Sequence, residues 1–106
     1  MRELDWPVEV TTDPKATEML RVWIANKTLH VSMLLGMWAD TAGWDVDERD
    51  AWGELLADLT RHIANGLGQS HGWDAAATIR RIADSYTQHV SRTDITVEGS
   101  YPREES

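Results

Sequence analysis

Residues 45–68 keep a helical repeat for longer than any other part of this chain, so the rest must fold around that helix. Trp52, Leu55, Leu56, Leu59, Ile63 and Leu67 recur at three- and four-residue steps, which draws one apolar stripe along a 3.6-residue period. Glu48, Arg49, Asp50, Glu54, Asp58, Arg61 and Asn65 fall on the other side, where water can solvate them. Asp45 or Asp47 supplies the side-chain acceptor that opens such a helix. Glu48 and Asp50 suit the positive end of its dipole, and Arg61 and His62 lie toward the negative end. Gly66 and Gly68 offer the left-handed residue that closes it. The spacing predicts a helix over 46–67.

A second helix is predicted over 74–90, capped by Asp74, with Ile79, Ile82, Ala83, Tyr86 and Val90 on its apolar side. The short loop 69–72 between the two helices predicts an antiparallel pair. Upstream, residues 19–25 are compatible with either a helical or an extended reading. The alternation of Leu29, Val31 and Met33 with His30 and Ser32 after Asn26-Lys27 favours a β-hairpin over 19–35. Asn26 tolerates a positive φ; a glycine at position 27 would have been a stronger turn signal. Residues 1–18 are polar and acidic. Trp6 to Val10 are compatible with a short edge strand, and Thr12-Asp13-Pro14 has the form of a helix start. Residues 91–106 read as a mobile tail. The predicted class is α+β, one compact domain over 19–90 with a hairpin packed on two antiparallel helices.

A two-stranded hairpin is marginal alone, and its outer edge leaves backbone groups unpaired. Pairing with a second copy across a two-fold axis would satisfy that edge, so a homodimer is expected. The apolar excess at Met33, Leu34, Leu35, Met37 and Trp38 points the same way.

Composition narrows the function classes. The absence of cysteine removes disulfides, thiolate metal sites and thiol nucleophiles. The net charge of −8, with only two lysines, disfavours nucleic acid and anionic membrane surfaces as partners. The N-terminus lacks the basic start and apolar centre of a signal peptide, so a cytoplasmic location is expected. Six tryptophans and no phenylalanine make an unusual aromatic balance. Large rings fill the core of a small domain, and that is the plainer reading; tryptophans lining a binding surface are the sharper one.

No motif for catalysis, cofactor or metal rises above this background. The acids Asp40, Asp45, Asp47, Glu48 and Asp50 lack the order of a calcium loop, and helix capping accounts for them. Asp58 and His62 share a helix face, yet the second histidine of an HExxH site is missing. There is no GxSxG elbow, dinucleotide fingerprint or phosphate loop. No catalytic residue, metal ligand or cofactor is therefore assigned. His30, Trp38, Trp44, Asp58, Arg61 and His62 remain the candidates for a pocket or an interface.

Arg21-Val22-Trp23-Ile24-Ala25, His30-Val31-Ser32, Gly36-Met37-Trp38, Ala51-Trp52-Gly53, Leu56-Ala57-Asp58 and Arg61-His62-Ile63-Ala64 together resemble a family of small bacterial proteins called domain of unknown function 5076. Members tend to carry Asp-Gly or Asn-Gly where this chain has Asn26-Lys27. The resemblance implies a compact α+β domain of bacterial origin and brings no activity with it. The leading expectation is a small acidic interaction or regulatory domain acting as a homodimer, with a protein partner compatible. The alternative is a small-molecule-binding protein or enzyme whose pocket gathers His30, Asp58, Arg61 and His62 between hairpin and helices. Nucleic-acid binding would require Arg49, Arg80, Arg81 and Arg92 to form a local basic patch.

Overall fold

A computed structural model of the chain describes residues 1–40, 46–92 and 98–100. The chain is α+β and divides into two compact units. The first holds Met1–Leu35 together with a returning strand from the C-terminal side, and the second holds the described residues from Gly36 to Arg92.

In the first unit, β1 (Leu20–Ala25) and β2 (Thr28–Met33) form the expected antiparallel hairpin, with Val22 opposite Val31 and Trp23 opposite His30. That register places Leu20, Val22, Ile24, Leu29, Val31 and Met33 on one face, because opposed residues share a side and alternate along the strand. The turn is the two-residue Asn26-Lys27, with φ of 52° and 60°. Two consecutive left-handed residues are what a hairpin of right-twisted strands needs. Asparagine accepts that conformation readily, whereas lysine carries a Cβ penalty. Lys27→Gly is expected to stabilise the domain by roughly 1 kcal/mol, read as an unchanged denaturant slope with a higher midpoint.

Three local expectations are corrected here. Residues 6–10 do not extend as an edge strand, because Val8–Thr12 form the short helix α1 with Pro7 at its start, φ −58°. Pro7 is the N-cap, where its missing N–H removes no helical bond, and Thr11 and Thr12 turn their hydroxyls back onto the carbonyls of Val8 and Glu9. Asp13-Pro14 therefore ends a helix instead of opening one. Asp13 is its C-cap, and the Asp13 side chain accepts from the Lys15 N–H at 2.9 Å. Finally, Glu98–Ser100, read within the tail, form a strand, β3, that pairs in parallel with β2 and makes β2 the centre of a three-stranded sheet.

The second unit is helical. Met37–Asp40 form the one-turn α2 where the end of the second strand was expected, following Gly36 at φ 90°. The long helix α3 spans Glu48–His71, and α4 spans Ala75–Val90. α3 thus overruns its expected end. Gly66 and Gly68 lie inside it, and the left-handed closing residue is Gly72, φ 70°, whose N–H reaches the carbonyl of Gly68 at 3.0 Å. Ser70 donates to the carbonyl of Gly66 at 2.9 Å, so the last turn stays bonded across both glycines. Asp74 caps α4 as expected, accepting from the Ala77 N–H at 2.9 Å. Residues 53–60 of α3 lie beside residues 82–86 of α4, so the pair is antiparallel.

The two helices meet on small residues. Ala64 has no exposed surface, and among the described residues only Ala51 joins it in the buried core. Ala64 lets the backbones approach, and Thr78, Ile79 and Ile82 of α4 are half-buried.

Candidate functional site

The site grows from the start of α3. Asp47 is the N-cap; its Oδ1 accepts the Arg49 N–H at 2.9 Å, while the Arg49 guanidinium grips both carboxylate oxygens at 3.0 and 2.8 Å. The Arg49 side-chain hydrogen bond, followed by its backbone N–H, holds the Asp47 carboxyl down at about 2. The same contact raises the Arg49 guanidinium. Because the folded value lies below the unfolded one of about 3.9, the charged form stabilises the fold. That contribution is complete at neutral pH and is lost as the pH falls from about 4 to about 2. Asp47→Asn keeps an acceptor for the cap but loses the charge. The helical signal of the variant should therefore change less than that of the parent across this acid window, followed by circular dichroism.

One residue further in, Glu48 gathers donors from three directions. Its Oε2 accepts from the Gly36 N–H at 3.0 Å and from the Trp52 indole N–H at 2.7 Å, and its Oε1 accepts from the Trp38 N–H at 2.9 Å. The carboxylate thereby fastens the turn at 36–38 to the first turn of α3. Trp38 is set edge-on against Trp52, centroids 5.9 Å apart and planes at 86°. Glu48 was read from the sequence as a favourable charge on the helix dipole. Its latching role was missed, and the only signal for it is the i,i+4 pairing with Trp52.

Trp38 heads an open groove of about 400 Å³ that runs along α3, lined by Val46, Ala51, Glu54, Leu55, Asp58, Leu59 and His62. The structure therefore brings together Trp38, Asp58 and His62 of the six candidates. Arg61 pairs with Asp58 one turn along the helix, both side chains more than half exposed. Such a pair on an open surface contributes little and does not mark a pocket. His30 lies in the other unit, where its Nε2 donates to the Ala25 carbonyl at 3.1 Å. Trp44 lies outside the described residues, as does Asp45 of the acid cluster. Among the described residues, no three histidine, aspartate or glutamate side chains converge as a metal set. The groove has apolar walls and an acidic rim.

These features define a small α+β domain with an open groove along its long helix. The chain belongs to the family described as Domain of unknown function (DUF5076), which matches residues 3–93. No curated protein matches it. It is similar in fold to a solved structure from the photosynthetic bacterium Rhodopseudomonas palustrus CGA009, described as "a putative pyruvate dehydrogenase". The TM-score is 0.62 and the identity 23%, with 92% of each chain covered. At that identity the likeness establishes the fold alone. No helix among the described residues is long and apolar enough to cross a membrane.

Proposed function

We propose that this domain is an acidic interaction module of the bacterial cytoplasm that works as a homodimer, and that it is not a catalyst. One observation carries the reading. Part of the apolar stripe read from the sequence stays open on α3, with Leu56 41%, Leu59 39% and Ile63 50% exposed, and Tyr86 on the apolar side of α4 is 54% exposed. A contiguous apolar row of this kind marks an association surface. The net charge of −8 supports a protein partner over nucleic acid. The relative from a photosynthetic bacterium supports the bacterial setting. A native mass spectrum of the purified chain tests the proposal. It predicts a bare mass of twice 12.0 kDa, and a bare single chain at micromolar concentration would refute it.

A second reading, a small-molecule site, is favoured by the meeting of Trp38, Asp58 and His62 on one groove. The exposed Asp58–Arg61 pair weighs against it. A reproducible added mass on each subunit, lost on His62→Ala substitution, would place it first.

A further inference from the structure

The sheet of the first unit has a bare edge. β3 takes the outer side of β2, so β1 stands at the margin of the order β1-β2-β3. Along an antiparallel ladder, successive residues alternately turn their N–H and C=O toward the neighbouring strand and away from it. Leu34 donates to the Met19 carbonyl at 3.0 Å, and Ala25 closes on Thr28 across the turn. Met19, Arg21, Trp23 and Ala25 therefore bond toward β2, and Leu20, Val22 and Ile24 turn both backbone groups outward. Among the described residues nothing pairs with those outward groups. The side chains of the same three residues share the apolar face, where Val22 is 51% and Ile24 73% exposed. Natural sheets blunt such edges with proline, a bulge or a charge. β1 has no proline, its register with β2 is unbroken, and its one charge, Arg21, is engaged by Glu18 at 3.0 Å and Glu3 at 3.5 Å.

A hollow of about 330 Å³ lies between residues 2–7 and Leu20, Arg21, Val22 and Trp23. It touches consecutive residues of β1 and none of β2, so it follows the outer edge and not a face of the sheet. Each chain thus carries its own wall beside this edge. A second copy approaching edge to edge would bring a second wall into the same space, whereas a single extended segment brings none. Carboxylates outnumber guanidinium groups along the hollow, with Glu3, Asp5 and Glu18 against Arg2 and Arg21.

We infer that β1 is a docking edge for an extended, basic segment of a partner protein, which joins the sheet as an added strand. This rests on the interaction-module reading and names the chemistry of the partner. Antiparallel pairing is the stabler arrangement per residue. Segment residues bonded to Leu20, Val22 and Ile24 then lie on the same face as those side chains, so they are apolar. The residues between them carry lysine or arginine, which the surplus of acid favours.

The probe is a blocked seven-residue peptide of alternating lysine and valine, added to the full isotope-labelled chain. The amide protons of Leu20, Val22 and Ile24 should become protected from exchange by about tenfold or more, while those of Arg21 and Trp23, already held by β2, change little. Methylating the valine nitrogens should abolish the effect and methylating the lysine nitrogens should not, since only the valine edge faces β1. Glutamate in place of lysine should weaken binding about tenfold at low salt. No protection, an equal response to the two methylated peptides, or a glutamate peptide that binds as well as the lysine one would overturn the proposal. So would protection of the three amides that rises with protein concentration alone, which would assign the edge to a second copy. The homodimer is read separately by mass. A dimer blind to the peptide refutes the docking edge and leaves the homodimer standing; a single chain that still protects the three amides does the reverse.

Discussion

Replacing Glu48 by alanine is expected to cost about 2–4 kcal/mol of unfolding free energy, since hydrogen bonds to a charged group contribute about 1.5–3 kcal/mol each and do not add in full. For a domain of this size that lowers the midpoint of thermal unfolding by about 10–20 °C. Three donors lose their acceptor at once: the backbone N–H groups of Gly36 and Trp38, and the indole of Trp52. All three sit in a part-buried pocket where water replaces the carboxylate poorly. Glu48→Gln keeps one acceptor oxygen and should fall between the parent and the alanine variant. The Trp52 indole proton should shift in the NMR spectrum of both variants. A loss below about 1 kcal/mol for Glu48→Ala would mean that the turn at 36–38 is held by packing alone.

Ala64→Leu should be the most damaging conservative change on the helix pair. Ala64 is fully enclosed, so added methylenes have no room and force α3 and α4 apart. Overpacking of this kind costs about 1–3 kcal/mol. Leucine and alanine are both good helix formers, which isolates the packing effect from helix propensity. Chemical denaturation checks it, and an Ala64→Leu chain as stable as the parent would show that the helices are not in close contact at this point.

Much of the fold is legible in the residues because local pattern and final structure agree. Alternation on both sides of Asn26-Lys27 reveals the hairpin even without a glycine, since the two-residue connection keeps Leu20, Val22, Ile24, Leu29, Val31 and Met33 on one face. Asp74 and the apolar spacing after it give α4. The end of α3 is misplaced because a glycine inside a helix costs only about 1 kcal/mol. The bonds of Ser70 to Gly66 and of Gly72 to Gly68 carry the helix to His71. β3 carries no strand signal in Glu-Gly-Ser; its pairing with β2, nearly seventy residues earlier, comes from the fold. Nor do the residue types show that the stripe on α3 has two destinations. Ala64 is enclosed, and Leu56, Leu59 and Ile63 stay open.

The site is less legible than the fold. Of the six candidates, Trp38, Asp58 and His62 meet, because α2 and the first four turns of α3 border one groove. Trp38 is placed there by Glu48, whose partners are backbone groups ten and twelve residues away that no side-chain motif announces. His30 shared the polar character of the others without sharing their element, and periodicity alone cannot say which elements come together.

Sedimentation equilibrium of the parent chain beside Ile63→Glu tests the central claim most directly, that the apolar side of the helix pair is where two copies meet. The account predicts a mass of twice 12.0 kDa for the parent. The variant should retain its helix content and sediment as a single chain, because a carboxylate in the middle of that face would be stripped of water on association. A variant as dimeric as the parent, or a parent that stays a single chain at every concentration, would contradict it.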